Sequence, residues 1–233
     1  LKRKVINMNK LIVLNHKMNL EYDEVFPYIN ELNKIEADYD LIVCPTNIYL
    51  ADFVNHCNWG VGSQNVFGAS QGDYTGEVSI TQLKSLGVEY SIIGHYERKK
   101  FFNETNEIIN KKLIACLEAN IIPILCFGGK GDIEDTLQEL RELLKNIERI
   151  DFIIFAYEPL EIDDSIMLDN IKEDITEIYN YLCDLYEVRP TIIYGGGIMD
   201  KDTQELLNID YLDGLLMGSS STNIDNVKKI FTN

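Results

Sequence analysis

The fold is decided by residues 121–147, which read IIPILCFGGKGDIEDTLQELRELLKNI. Ile121–Phe127 is a short apolar run, which is typical of a strand buried on both faces of a parallel sheet. After a glycine-rich turn the apolar residues change to steps of four and three, at Ile133, Leu137, Leu140, Leu144 and Ile147. That spacing places them on one face of a helix. The stretch therefore predicts one strand–helix unit of a parallel α/β fold.

The same unit recurs along the whole chain. Similar apolar runs predict seven further strands, near Leu11–Leu14, Leu41–Val43, Gly60–Gln64, Tyr90–Gly94, Phe152–Ala156, Thr191–Tyr194 and Gly214–Met217. Helical patterns lie between them, at 23–36, 47–56, 106–119, 168–185 and 201–208, and Ser79…Gln82 and Thr222…Asp225 resemble helix N-terminal caps. Eight such units predict a (β/α)8 barrel, with an open doubly wound sheet as the alternative.

Length and composition favour one folded domain. The chain has 233 residues, of which 45% are hydrophobic and 25% charged, which excludes a disordered or collagen-like chain. Since no linker-like segment divides it, we expect a single barrel domain over 8–233, preceded by an N-terminal extension at 1–7. No apolar run approaches the roughly 18 residues that span a bilayer, and we expect neither a membrane segment nor a targeting segment.

Charge and cysteine usage narrow the partners and the compartment. The formal net charge is −17, and such a surface repels nucleic acids and anionic membranes, so we expect neither as a partner. The five cysteines are an odd number, widely spaced and without a Cys-x-x-Cys pair. This pattern fits neither a disulfide framework nor a metal site, and it predicts a cytoplasmic location.

Polar residues follow the predicted strands where each strand ends. In a (β/α)8 barrel these ends meet at one rim, where the chemistry takes place. The candidates are Asn15 and Lys17 after the first strand, His95 and Glu97 after the fourth, Glu158 after the sixth, Gly195–Gly197 after the seventh, and Gly218 and Ser219 after the eighth. A lysine, a histidine and a glutamate at one rim offer a cation, a hydrogen-bond donor and a base. The glycine-bearing ends suit a phosphate.

Each candidate also has a purely structural interpretation. Lys17 alone is a solvated surface lysine, His95 alone a core histidine, and Glu158 alone a strand-end carboxylate that faces water. The glycines at 195–197 alone form a turn, and they do not match a dinucleotide-binding fingerprint. The functional interpretation depends on all of these residues lying at strand ends.

Several motifs, in the same order along essentially the whole chain, resemble the triosephosphate isomerase family. They are NHKMN (15–19), SQNV (63–66), YTGE (74–77), IGHYER (93–98), ILC (124–126), AYEP (156–159), YGG (194–196) and DGLLMG (213–218). The resemblance implies a TIM barrel and an isomerase of glycolysis and gluconeogenesis. That enzyme interconverts D-glyceraldehyde 3-phosphate and dihydroxyacetone phosphate through an enediolate, without a metal or an organic cofactor.

The resemblance also implies roles for individual residues. Glu158 matches the base, His95 the electrophile that polarises the carbonyl, and Lys17 the cation that offsets the charge of substrate and enediolate. The remaining matches are Asn15 beside that lysine, Glu97 as its supporting carboxylate, and Gly196, Gly197, Gly218 and Ser219 as phosphate-binding positions. The loop Phe67–Thr75 matches one that enters a second subunit, with Thr75 at that subunit's site, so a homodimer is expected.

Four features differ from the family pattern. The lid after Glu158 is Leu160–Ser165, which is shorter, lacks glycine and carries three carboxylates. Gly197 replaces a serine and Ser219 a glycine in the phosphate loops, while His16 replaces a tryptophan. Tyr96 replaces a serine and is expected either to narrow the site or to displace the base. Two alternatives therefore stay open, an isomerase of another small aldose/ketose or a non-catalytic barrel that acts as a binding protein.

Overall fold

The chain forms a closed barrel of eight parallel strands, seen in a computed structural model that describes residues 9–129, 131–159, 168–198 and 203–231. The strands are β1 (Leu11–Asn15), β2 (Asp40–Cys44), β3 (Gly60–Ser63), β4 (Tyr90–Ile93), β5 (Ile122–Phe127), β6 (Ile154–Tyr157), β7 (Thr191–Tyr194) and β8 (Gly214–Met217). Strand β8 pairs with β1, with Gly214 opposite Leu11, so the sheet has no free edge. The predicted barrel is confirmed, and the open sheet is excluded.

Helices follow the strands and surround the barrel. Those in the described residues are α1 (Tyr22–Leu32), α2 (Leu50–His56), α3 (Ile80–Leu86), α4 (Tyr96–Phe102), α5 (Asn106–Glu118), α6 (Ile133–Leu143), α7 (Leu168–Tyr186), α8 (Thr203–Leu207) and α9 (Ile224–Ile230). Short 3-10 helices occupy Asn47–Tyr49 and Ser219–Thr222. Within the described ranges, none of the helices has the length and apolar character needed to cross a membrane.

Alternate residues of each strand pack into two different cores, which explains the unbroken apolar runs. In β1, Leu11 and Val13 belong to the cluster inside the barrel, whereas Ile12 and Leu14 belong to the cluster between barrel and helices. The strands are therefore buried on both faces, as parallel strands in α/β folds are. Their packing holds the carboxyl ends of the strands, and the side chains that follow them, at one rim.

The caps and ends of the helices agree only in part with those predicted from the sequence. Ser79 caps α3 with the reciprocal pair of bonds expected of a capping box. The expected cap at Thr222 is wrong: the Asn223 side chain accepts the Asp225 N–H and caps α9, while the Thr222 hydroxyl donates to the Ser219 carbonyl. Helix α6 ends at Leu143, before the predicted Ile147.

Helix α4 was not predicted as a helix, because its sequence YERKKFF has no apolar period. The His95 ring caps it by accepting the Glu97 N–H. The expected N-terminal extension at 1–7, the lid Leu160–Ser165 and the first residues of the predicted helix at 201–208 lie outside the described residues.

Candidate active site

A cavity of about 400 Å³ opens at the carboxyl ends of the strands. It brings together nine of the candidates at predicted strand ends, namely Asn15, Lys17, His95, Glu158, Gly195, Gly196, Gly197, Gly218 and Ser219. Glu97 does not line the cavity itself but accepts a hydrogen bond from the Lys17 ammonium, which does. Thr75 is exposed in the loop after β3 and does not line this cavity. Residues from five different strand ends thus meet at one rim, because the strands are parallel.

Lys17 is held in an uncommon backbone conformation. Its φ of 52° is left-handed, which a non-glycine residue adopts only where its surroundings hold it there. The Asn15 side chain accepts the Lys17 N–H at 3.1 Å, and the Lys17 carbonyl accepts from Thr46 at 2.9 Å and Gln64 at 2.7 Å. The backbone is therefore fixed on both sides. The Lys17 ammonium lies 2.6 Å from a Glu97 carboxylate oxygen, which directs it towards the cavity.

His95 is oriented by the first turn of α4. Its Nδ1 accepts the Glu97 N–H at 3.3 Å, and its Nε2 lies 3.2 Å from Oε1 of Glu158. A ring nitrogen that accepts a hydrogen bond carries no proton, so the proton of the neutral ring is on Nε2. His95 therefore presents an N–H donor to the cavity and to Glu158.

Glu158 follows β6 and is almost completely buried. Its own N–H donates to the Phe127 carbonyl at 2.8 Å, which fixes its backbone against β5. Its carboxylate accepts the Tyr96 backbone N–H at 3.1 Å, and the Cys126 thiol donates a side-chain hydrogen bond to it. A carboxylate in this position has donors on several sides but little contact with water.

Burial moves the pKa values of the two groups in opposite directions. It raises the pKa of Glu158 to about 7, although the Tyr96 amide, Lys99, the Cys126 thiol and Lys17 all act to lower it. Burial also lowers the pKa of His95 to about 4, assisted by Lys17 and Lys99 and opposed by Glu97. Near neutral pH the site thus combines a carboxylate poised to take up a proton with an uncharged imidazole.

The glycines after β7 and β8 also line the cavity. A Cβ on Gly196 would lie 2.1 Å from the Tyr194 hydroxyl oxygen, so only glycine fits there. A Cβ on Gly197 would meet nothing within 4 Å, and a Cβ on Gly218 would lie 3.5 Å from the Lys17 ammonium nitrogen. Ser219 begins the 3-10 helix after β8. Such turns expose backbone N–H groups that bind anions, next to the Lys17 cation.

Tyr96 lines the cavity, and its backbone N–H donates to the Glu158 carboxylate. Its ring centroid lies 5.1 Å from that of His95 and 5.8 Å from the Lys17 ammonium nitrogen. Two other lining residues, Ile198 and Leu216, were not predicted. Leu216 lies near the end of a predicted strand, and Ile198 directly follows the predicted Gly195–Gly197.

The described residues contain no candidate metal site, because no three His, Cys, Asp or Glu side chains among them are arranged to hold an ion. The cavity contains Lys17, His95 and Glu158, and its other polar side chains are Asn15, Tyr96, Ser219 and Ser220. Together they can hold an anion, donate to a carbonyl oxygen and accept a proton from carbon.

The chain matches known proteins along most of its length. The family model described as triosephosphate isomerase matches residues 10–233. A protein named triosephosphate isomerase from Aquifex aeolicus (strain VF5) is 32% identical, over 96% of this chain and 98% of its own. One of that name from Clostridium botulinum (strain Langeland / NCTC 10281 / Type F) is 34% identical, over 91% of this chain and 94% of its own. By both the family model and these relatives, the chain belongs to the triosephosphate isomerase family.

Proposed function

We propose that this protein is a triosephosphate isomerase, which interconverts D-glyceraldehyde 3-phosphate and dihydroxyacetone phosphate through an enediolate. The observation that carries the proposal is the contact between Glu158 and His95, whose carboxylate oxygen and Nε2 lie 3.2 Å apart at the wall of the cavity. A base and a neutral donor side by side suit proton transfer next to a carbonyl.

Glu158 is the base of this reaction. Its carboxylate takes the proton from the carbon beside the substrate carbonyl and returns it to the neighbouring carbon of the enediolate. A pKa raised by burial to about 7 suits both steps, because the group can take and release a proton near neutral pH.

His95 and Lys17 stabilise the charge that this proton transfer creates. The Nε2–H of His95 donates to the carbonyl oxygen as it gains negative charge, and then moves protons between the two enediolate oxygens. The Lys17 ammonium, held by Glu97 at 2.6 Å, offsets the negative charge of enediolate and phosphate. Donors fixed in a cavity before the reaction begins are worth more than the same donors in water.

The substrate phosphate binds between Lys17 and the wall formed after β7 and β8. The backbone N–H groups of Gly196, Gly197 and Ser219, together with Gly218, surround the anion, and Asn15 also lines the cavity. Open space at Gly197 and the close approach of Gly218 to Lys17 support this position. The acidic character of the rest of the chain makes this local positive site all the more necessary.

Mixing the purified protein with D-glyceraldehyde 3-phosphate tests the proposal. Formation of dihydroxyacetone phosphate is followed together with methylglyoxal, the product of phosphate loss from a released enediolate. We expect isomerisation that falls by a factor of about 10³ or more in Glu158→Gln and strongly in Lys17→Ala. Glu107→Gln, which removes a carboxylate from an exposed ion pair on α5, is the matched control. Absence of isomerisation by the folded wild-type protein would overturn the proposal.

A second candidate is an isomerase of another small aldose or ketose phosphate. The Tyr96 ring in the cavity and the missing hydroxyl at Gly197 favour it, because both change the space and the donors around the substrate. Proton exchange into a panel of small sugar phosphates, followed by NMR, distinguishes the two. Faster exchange with any of them than with the triose phosphates would favour the second candidate.

We further propose that the protein is a homodimer in the cytoplasm. Met18 after β1 and Ile48 after β2 are 93% and 74% exposed, and Tyr74 in the loop after β3 is half exposed. All three follow carboxyl ends of strands, at the rim that carries the cavity, and a contiguous exposed apolar patch usually marks an interaction site. A second copy of this chain suits them, with Thr75 of one copy reaching the cavity of the other. The five free cysteines support a reducing compartment.

Light scattering at micromolar concentration tests the dimer. We expect twice the mass of the chain for the wild-type protein and a shift towards the monomer for Ile48→Lys. Leu185→Lys is the control, since Leu185 is also exposed but lies on α7, between β6 and β7. A wild-type monomer would contradict this part of the proposal.

A further inference from the structure

Glu139, a carboxylate on α6, contacts two elements that carry the active site. Its Oε2 accepts the backbone N–H of Gly128 at 2.7 Å, and its Oε1 pairs with the Lys99 ammonium on α4. Both side chains are largely buried, with Glu139 16% and Lys99 21% exposed. Charge-assisted bonds of this kind are stronger and shorter than neutral ones. Glu139 therefore ties the segment after β5 to the helix after β4.

Gly128 transmits this constraint to the base. It follows β5 with a φ of +99°, and a Cβ there would lie 3.0 Å from the Glu158 carbonyl oxygen and 3.1 Å from the Tyr157 ring. The Gly128 backbone thus packs directly against the backbone of Glu158. The preceding residue, Phe127, accepts the Glu158 N–H at 2.8 Å. A shift of Gly128 would move the backbone from which the Glu158 side chain extends.

Lys99 transmits an electrostatic effect to the same group. Its positive charge lowers the pKa of Glu158 and also that of His95. The charge is balanced by Glu139, just as that of Lys17 is balanced by Glu97. The titratable or charged groups that face Glu158 and His95 are Lys17 after β1, Tyr96, Glu97 and Lys99 on α4, and Cys126 in β5.

We propose that Glu139 is a positioning residue of the active site, which holds the Gly128 amide against Glu158 and balances the charge of Lys99 beside it. The inference rests on the proposed isomerase function for its kinetic consequences, but its structural part is independent of that function. It assigns to α6, a helix that contributes no residue to the cavity wall, a part in setting the protonation of the base.

Two variants with opposite charge effects test the inference. Glu139→Gln keeps an oxygen that can accept the Gly128 N–H but leaves the Lys99 charge unbalanced. The pH at which kcat/KM falls to half on the acid side should then drop by about half a unit. Lys99→Gln removes the cation and leaves Glu139 negative, so the same midpoint should rise by about as much. In the double variant the two effects should largely cancel, because the pair is replaced by two neutral groups.

Glu107→Gln is the matched control, since it removes one carboxylate from an exposed pair and should leave the midpoint unchanged. If Glu139 had a purely structural role, the pH midpoint would shift in the same direction in both single variants, or would not shift in either. Either result would overturn the inference. Should Glu139→Gln not fold, an unmoved midpoint in Lys99→Gln overturns it instead.

A carbon-13 NMR titration of the Glu158 carboxyl group, identified by its loss in Glu158→Gln, measures the same shifts without any substrate. An inactive wild-type protein in which these shifts still occur would contradict the proposed isomerase alone. An active protein in which they do not occur would contradict the role of Glu139 alone.

Discussion

The Nε2 atom of His95 and the Oε1 atom of Glu158 lie 3.2 Å apart, in surroundings that lower the pKa of the imidazole to about 4 and raise that of the carboxyl group to about 7. The Glu97 amide fixes the ring by donating to Nδ1, so the remaining ring proton faces the carboxylate. Burial is the main cause of both pKa shifts, and it acts against whichever form is charged. The same buried part of the cavity thus holds the Glu158 carboxyl group, with a raised pKa, and the neutral His95 ring, which donates a hydrogen bond.

The raised pKa of Glu158 predicts the pH dependence of the reaction. The base works as the carboxylate, so kcat/KM should rise with pH and reach half its maximum near pH 7. His95 stays neutral far below that pH, because burial lowers its pKa to about 4. Steady-state kinetics between pH 5 and 9 give the profile, and a phosphorus-31 titration separates the ionisation of the substrate phosphate. A midpoint near 4.5, the ordinary value for glutamate, would contradict the prediction.

Much of this site could be predicted because parallel strands point the same way. Once the apolar runs locate the strand ends, Lys17, His95 and Glu158 must lie at one rim, whatever their separation in sequence. The remaining contacts depend on side-chain geometry that no local pattern carries. In the sequence, Glu139 resembles the other carboxylates of α6, which suit a solvent-facing position. Its contacts with Gly128 and Lys99 are evident only in the folded structure. The same holds for α4, which has no apolar period and is capped by a site residue.

Glu97→Gln should weaken catalysis without unfolding the protein. Glu97 is 30% exposed and makes the 2.6 Å ion pair with Lys17, so glutamine can still accept a hydrogen bond but no longer orients the ammonium by charge. We expect kcat/KM to fall by about tenfold to a hundredfold, as is common when a group is slightly misplaced. Steady-state kinetics measure the loss, with Glu107→Gln as the control of equal charge change. Unchanged kinetics would mean that Lys17 is held by its backbone contacts alone.

Gly94→Ala should destabilise the fold next to His95. Gly94 has a φ of +71°, and a Cβ there would lie 2.9 Å from the Cys126 carbonyl oxygen and 3.0 Å from the Ile109 side chain. The left-handed conformation and the contact with rigid backbone together should cost about 2 kcal/mol or more. Urea unfolding measures the loss. Gly68→Ala is the control, because the nearest atoms to its Cβ would be 3.7 Å away. Equal stability of the two variants would contradict the argument.

A second buried histidine should make the fold sensitive to acid. His16 is only 1% exposed, and its ring centroid lies 4.7 Å from that of Tyr28 and 5.7 Å from that of Phe53. Within the described part of the chain, neither ring nitrogen has a hydrogen-bond partner. Burial therefore lowers the pKa of His16 from 6.5 to about 4. The unfolded chain binds this proton at a higher pH than the folded protein does.

His16→Phe should remove that sensitivity. In the wild-type protein the linked stability is complete above pH 6.5 and is lost as the pH falls towards 4, by about 3 kcal/mol in all. Phenylalanine has no proton to bind and suits the aromatic contacts, so the variant should gain stability over the wild type as the pH is lowered. Urea unfolding at pH 7.5 and 4.5 measures the difference, with His56→Phe at the exposed end of α2 as the control. If His16→Phe and the wild type lost stability in parallel, the buried imidazole would not be the acid-sensitive group.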